Sequence, residues 1–380
     1  MITEREQEIL LLIRQDPLIS QQALADRLGI TRSAVAGHIM NLTNKGAIRG
    51  KGYIVANAPY AVVIGGASMD ILGQPATAFQ LQDSNPGRVS CSPGGVGRNI
   101  AENLARLGAD SRLIAPIGKD AYGQMLLEHC QQAGIDMRYC LLLDDATTST
   151  YLSILDASGD MHVAINDMAI IERLRVETLV SHAEMLRRAS LLIIDTNLSR
   201  EVLEYLLSQF SQVPIFVDTV SGPKSEKLRG LLGSIHTLKP NLLEAQQLSG
   251  LQVRSDDDLP GLADWFHQQG VKRLCLSLSA RGTYLSEMND QGTAEQQILP
   301  PLAVDLVNAN GAGDAFLAGL AHGWLQGWQS SDAARFAVAS AALALTHPST
   351  INPTMSVTAV ERLLQQTRTL PYTAHSQHNA

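Results

Sequence analysis

The stretch NANGAGDAFLAGL, Asn308 to Leu320, sets three small residues and a carboxylate directly before an apolar helical run. Gly311, Ala312 and Gly313 let the backbone turn tightly with amides bare of bulky side chains. Asp314 then stands at the start of a helix that continues through Phe316, Leu317 and Leu320 toward Trp324. Amides at that end of a helix lack partners, and the dipole favours negative charge there. Two chemistries fit. Asp314 caps the helix, or the loop holds an anion while Asp314 moves a proton beside it. The motif alone leaves both open. Asn241 and Glu244, three residues apart in TLKPNLLEA at a helix start, share a face; taken alone they are an exposed helix terminus. Asp83, Ser84 and Asn85 precede Pro86 and Gly87 in a hairpin-like stretch where a solvated turn is the default. Asn166 and Asp167 close a strand-like stretch.

The elements that must position these residues follow from patterning. From Ala61 onward the short apolar runs AVVIGG, SRLIAPIG, LLIIDTN, PIFVDTV, HTLKPN and RLCLSLS alternate with helical stretches such as GRNIAENLARLG and GLADWFHQQG. That alternation predicts a mostly parallel sheet covered by helices on both faces, with ligands at the carboxyl ends of its strands. No Gly-x-x-x-x-Gly-Lys-Ser/Thr loop occurs. GGVGRNI lacks the third glycine of a dinucleotide fingerprint, and no acidic residue follows at the right distance on a strand, which disfavours a Rossmann dehydrogenase.

Composition narrows the class further. With 380 residues, 45% of them hydrophobic and 17% charged, the chain can build a sizeable core and more than one domain. Cys91, Cys130, Cys140 and Cys275 form no Cys-x-x-Cys pair and no metal cluster with histidine. That usage points to a reducing cytoplasm. The opening MITEREQEIL is too charged for a signal peptide. The longest apolar run, around FAVASAALALT, falls short of the ~18 residues a membrane span needs and reads as a buried helix. The polar ending YTAHSQHNA, residues 372–380, reads as a frayed tail.

Charge divides the chain in two. Residues 1–57 hold seven basic and five acidic side chains, a net of +2; the whole chain carries −8, so the remainder carries −10. In the first part, TEREQEILLLIRQDP, SQQALADRLGI and TRSAVAGHIMNLTNKG read as three helices opened by Thr3, Ser20 and Thr31. AIRGKGYIV then reads as a short basic hairpin. The run ISQQALADRLGITRSAVAGHIMNLTNKGAI resembles a winged helix-turn-helix along its whole length. The resemblance puts Thr31, Arg32, Ser33 and His38 on the outer face of a recognition helix, with Arg49 and Lys51 in the wing on DNA phosphates. The competing reading is a small helical module for packing or dimerisation. A net +2 is small for a DNA binder, so affinity is expected to rest on a homodimer.

Residues 58–371 resemble the ribokinase (PfkB) family of sugar and nucleoside kinases. SPGGVGRNIAENLARLG and NANGAGDAFLAGL look like its two signatures, and TLKPNLLEA between them looks like its Asn-x-x-Glu motif. Within the family, DSNPGRVSCSPGGVGRN, TSTYLSILDASGDMHVAINDM and IHTLKPNLLEA most resemble pseudouridine kinases, with bacterial purine-nucleoside kinases next. The resemblance implies a ribokinase-like α/β fold with a small β lid, and transfer of phosphate from ATP to a sugar 5′-hydroxyl with Mg²⁺. It makes Asp314 the base and the amides of Gly311, Ala312 and Gly313 the anion hole. Asn241 and Glu244 would organise Mg²⁺ on the nucleotide phosphates, and Lys239, Ser277, Gly282 and Asn352 would line the ATP pocket. Asp70, Gly94, Gly95 and Asn99 would hold the ribose, while Asn166, Asp167 and Asp83 would face the base from the lid. Two departures stand out. Ser279 replaces a common glycine, and Asn308-Ala309 replaces an Asp-Thr pair whose aspartate helps bind an activating monovalent cation, which weakens the case for K⁺. The alternatives are an inosine, guanosine or simple sugar kinase, or a transcriptional regulator that uses a kinase fold as a sensor.

Overall fold

A computed structural model describes residues 2–48, 59–156 and 161–366. The chain divides into two compact units, Met1–Ala58 and Pro59–Ala380.

In the first unit three helices, Glu4–Gln15, Gln21–Leu28 and Arg32–Asn44, start at Thr3, Ser20 and Thr31, each of which caps its helix through a side-chain oxygen. Thr3 and Glu6 complete a reciprocal capping box. Ile9, Ile13, Leu24, Val35 and Leu42 are fully buried between the helices. Lys45 reaches back to the buried Glu6 at 2.7 Å and joins the ends of the first and third helices. Arg49 and Lys51, and the wing they were expected to form, lie outside the described residues.

The strands of the second unit are, in chain order, β1 (Tyr60–Ile64), β2 (Ser68–Pro75), β3 (Gly87–Gly94), β4 (Asp110–Ile114), β5 (Pro116–Gly118), β6 (Leu141–Leu143) and β7 (Thr150–Leu155). They continue with β8 (Met161–Asp167), β9 (Leu191–Asp195), β10 (Ile215–Asp218), β11 (Thr237–Lys239), β12 (Arg273–Ser277), β13 (Thr283–Met288) and β14 (Ala294–Leu299). Eight strands form the main sheet in the order β14-β13-β12-β11-β10-β9-β1-β4. From β12 to β4 every pairing is parallel; β13 and β14 add an antiparallel edge. Alternation along the strands splits the core into two layers. Val62, Ile64, Leu192, Ile194 and Val217 pack on one side, and Ala61, Val63, Leu191, Ile193 and Phe216 on the other. The sequence runs read as strands all lie in this sheet, except that SRLIAPIG divides between β4 and β5. FAVASAALALT lies in the buried helix Ser330–Leu345. Among the described residues no helix is long and apolar enough to cross a membrane.

Because β9, β10 and β11 run parallel, their last residues, Asp195, Asp218 and Lys239, meet along one edge of the sheet. A second sheet, β3-β2-β7-β8, forms the lid. Its register aligns Asp70 with Ser92, Tyr151 and Asn166 on one face, and Ile71 with Cys91, Leu152 and Ile165 on the other. Asp70 sits inside β2, the strand that follows β1 in the chain.

Candidate active site

The helix Ala312–Leu325 begins at Gly311, whose φ is 80°. A Cβ at Gly311 would lie 2.3 Å from the Thr350 carbonyl oxygen, so the turn requires glycine. No side chain caps this end, and the first-turn amides have no partners within the helix. Asp314 looks away from its own first turn: its Oδ2 accepts a hydrogen bond from Asn99 Nδ2 at 2.8 Å. Burial, and next the neighbouring Asp218 carboxylate, push Asp314 up to about 7, against the Asn99 bond, Lys239 and Arg98. Lys239, at the end of β11, pairs with Asp218 at 3.0 Å. Its Nζ comes within 3.1 Å of where a side chain on Gly313 would begin. Burial works against the Lys239 charge, but Asp218 more than offsets it and the pKa is raised. A bare helix start, a cation and an uncapping carboxylate thus share one corner.

Asn99 owes its orientation to Arg98. This arginine is fully buried and donates to the Asn99 Oδ1, to the Glu102 carboxylate, and at 3.0 Å to the carbonyls of Pro93 and Gly94. With Oδ1 taken, the amide nitrogen is the atom left to face Asp314. Glu102 is also bonded to Arg106 at 2.8 Å and His129 at 3.1 Å. Burial alone would raise its pKa, but His129, Arg98 and Arg106 bring it down to about 2. The same guanidinium therefore braces the Gly94-Gly95 turn and the asparagine behind the base. A Cβ on Gly94 would lie 2.2 Å from Asp70 Oδ1, so that turn closes directly on the Asp70 carboxylate. Burial raises the Asp70 pKa against its bond from Ser68 and the Arg98 charge.

Asn241 and Glu244 form a capping box: Asn241 Oδ1 accepts from the Glu244 amide, and the Glu244 carboxylate accepts from the Asn241 amide, both at 2.9 Å. Thr219 Oγ1 donates to the same Glu244 Oε2 at 2.6 Å. Both bonds fall on Oε2 and leave Oε1 for a water-carried cation. Among the described residues no group of three or more His, Cys, Asp or Glu side chains could hold a metal. Magnesium that travels on nucleotide phosphates needs few protein ligands, and a fixed, half-committed carboxylate beside Lys239 suits it. Ser277 ends β12 and bridges to Asn241. Gly282 follows with φ 98°. Asn352 is buried, and its side chain is occupied: Nδ2 donates to the Leu343 carbonyl in the helix Ser330–Leu345, and Oδ1 accepts from Thr354. Asn308 Nδ2 donates to the Pro348 carbonyl and its Oδ1 accepts from the Asn310 amide.

A cavity of ≈ 910 Å³ opens from Asn99 and Gly311 to the lid. Asp70, Gly95, Tyr151 and Asn166 line it. Asp167 and Asp83 are not in its wall. Strand alternation turns Asp167 out to an exposed position, where it accepts from the Ala169 amide, and Asp83 stays in an exposed turn bonded to the Ser84 amide. Sequence reasoning missed four residues of this region. Asn197 and Lys224 line the cavity, Asp218 holds Lys239, and Arg98 holds Asn99. The signal for two of them was present: the DTN and DTV that end β9 and β10 put carboxylates and amides at parallel-strand ends.

Fold and site together define an α/β phosphotransferase whose acceptor is an alcohol group, built on a ribokinase-like sheet with a β lid. Residues 58–357 match the model of the pfkB family of carbohydrate kinases, and the chain belongs to that family. Residues 2–49 match a winged helix-turn-helix DNA-binding model. The chain is 43% identical to "Uncharacterized sugar kinase YeiI" of Escherichia coli K12 over 93% of its own length and 97% of that protein. It is 42% identical to the pseudouridine kinase of the same organism, over 82% of its own length and 98% of that protein. A crystal structure of a putative sugar kinase from Clostridium perfringens superposes with a TM-score of 0.73 at 33% identity, covering 82% of this chain and 98% of that one.

Proposed function

We propose that this sugar or nucleoside kinase uses ATP and Mg²⁺ to phosphorylate the 5′-hydroxyl of a nucleoside, and that pseudouridine is its substrate. One observation carries the reading: the Asn99-bonded Asp314 carboxylate stands at an uncapped helix start next to Lys239, and Asn99 and Gly311 beside it line the cavity. Asp70 and Asn99 divide the ribose hydroxyls as acceptor and donor, which orients the 5′-carbon toward Asp314. Asp314 takes the hydroxyl proton. The amides of Gly311, Ala312 and Gly313, with Lys239, stabilise charge on the transferring group. Mg²⁺, when bound near Glu244 and Asn241, supplies neutralising charge for the phosphates. Identity to the Escherichia coli pseudouridine kinase supports the choice of substrate. A panel of pseudouridine, uridine, inosine, guanosine and ribose with ATP and Mg²⁺, read as ADP release, tests it. Pseudouridine is expected to give the highest kcat/KM; a tenfold lead for inosine or guanosine overturns the substrate, and ligand-responsive DNA binding without turnover favours the sensor reading.

Four further assignments belong to this reading. Residues 1–57 bind DNA through Arg32, Ser33 and His38, residues 58–371 are the kinase, and 372–380 lie outside the described residues. The lid's outer face, where Val89, Val163 and Ile165 are exposed, joins two copies in a homodimer. Asn308 ties its loop to Pro348 with an amide donor, which repels rather than attracts a cation, so activity is expected without added K⁺. Four free cysteines support a cytoplasmic location.

A further inference from the structure

The cavity wall contains a lysine that the transfer chemistry leaves without a task. Lys224 follows β10, lines the cavity, and donates from Nζ to Asn197 Oδ1 at 2.6 Å. Asn197 is itself buried and packs its amide nitrogen against Gly66, another lining residue. An ammonium has three donors; Asn197 uses one. Lys227 nearby has a different task, since it donates to the carbonyls of Thr196, Asn197 and Leu198 and so fixes the loop after β9. Lys224 is thus held on a rigid platform with donors to spare. It stands after β10, beside the loop that follows β9. The lid contributes Tyr151 and Asn166 to the same cavity. An aromatic ring, an amide and a cation in the wall of one cavity suit a flat heterocycle with a ring carbonyl. An anionic substituent suits it less, because Asp70 lines the same cavity and Asp195, which ends β9, lies close enough to act on the lysine's charge. Burial lowers the Lys224 pKa, and Asp195 opposes that shift.

We propose that Lys224, positioned by Asn197, reads a ring carbonyl of the nucleobase and restricts the enzyme to oxo-nucleosides. This rests on the nucleoside-kinase reading and goes beyond it by assigning base recognition to the β10 side of the cavity as well as the lid. Adenosine, which has no ring carbonyl, is then a poor substrate even where its sugar fits. The test compares wild type with Lys224→Met, close in length but without donors, and Lys224→Arg, using full-length protein with pseudouridine, uridine, adenosine and ribose. A lost hydrogen bond to a charged group corresponds to a roughly 10- to 100-fold change. Lys224→Met is expected to raise KM for pseudouridine and uridine by about that factor, with kcat and the KM for ATP within about threefold. The pseudouridine-to-ribose and pseudouridine-to-adenosine ratios of kcat/KM fall by at least ~10-fold, and Lys224→Arg keeps most of both. Calorimetric binding of pseudouridine without ATP is expected to weaken in parallel, with the melting temperature unchanged. Should Lys224→Met leave the pseudouridine KM unchanged, or raise the ribose KM equally, the assignment is wrong. A Lys224→Met protein that melts markedly lower, with Lys224→Arg also losing the nucleoside preference, makes the lysine a structural strut and equally overturns it. If wild type phosphorylates no nucleoside at all, the failure lies with the parent reading.

Discussion

Asp314 combines burial, a nearby carboxylate and one amide bond, and each has a measurable consequence. Its conjugate acid loses its proton near pH 7, so kcat/KM is expected to rise with pH through about 7 and level off above. Asp314→Asn keeps the Asn99 bond and cannot accept a proton; kcat is expected to fall at least ~10²-fold with substrate Kd nearly unchanged. The same substitution tests the shift through stability. The folded state raises this pKa from 3.8, so it binds the proton more tightly than the unfolded chain, and stability is lost as pH climbs from about 4 toward 7. Asp314→Asn removes that loss, and its melting temperature should exceed wild type by more at pH 8 than at pH 5. Arg98 belongs to the same scale. Replacing it alone takes one cation from the buried Glu102 and leaves it to Arg106 and His129, so the informative variant is Arg98→Gln with Glu102→Gln. Removing a cation that lowers the Asp314 pKa is expected to move the pH profile upward; an unmoved profile with only a lower melting temperature reduces Arg98 to a packing role. Gly-Ala-Gly-Asp was legible in the sequence because its spacing is local. Arg98 was not, because an arginine one position before Asn99 says nothing about which of its five donors will be used until the Gly94-Gly95 turn brings two carbonyls to it.

At the scale of elements, the lid shows how a one-residue step decides function. Asn166 and Asp167 were equal candidates in sequence, since both close the same strand-like stretch. Pairing of Tyr151 with Asn166 puts the asparagine on the cavity side, and the aspartate falls on the other. Asn166→Ala is therefore expected to lower kcat/KM for pseudouridine about tenfold, while Asp167→Ala stays within about threefold in the same ADP-release assay. The reverse ranking would mean that the lid pairs in another register when substrate is bound. The apolar outer face carries its own expectation. Ile165→Lys places a charge among Ile71, Cys91 and Leu152, and sedimentation should report a shift from dimer to monomer. The main sheet was readable from its apolar runs, because strands buried on both faces leave a continuous hydrophobic signal. The lid strands, each half exposed and interrupted by polar residues facing the cavity, left a weaker one.

At the scale of the whole molecule, the helical unit and the kinase unit carry separate chemistry. Deleting residues 1–57 is expected to leave a kinase with kcat/KM within about threefold of the full chain, because every residue proposed for the kinase site lies beyond Pro59. Arg32→Ala should weaken binding to DNA and flatten its salt dependence without changing ADP release. Loss of turnover on truncation would show that the units depend on each other. The division was legible from charge balance and from capped helices, signals that need no tertiary contact; Lys224 and Asn197 were not, because they lie 27 positions apart and meet only when β9 and β10 pair. That pairing also shapes how such an enzyme can diversify. Proton removal and phosphate stabilisation stand on the helix after Gly311 and at the end of β11, whereas the side chains proposed to read the base stand after β9, after β10 and on β8. A lineage can therefore change its diet one loop at a time, trading Lys224 or Asn166 for other side chains, and keep a working phosphoryl-transfer engine through every intermediate.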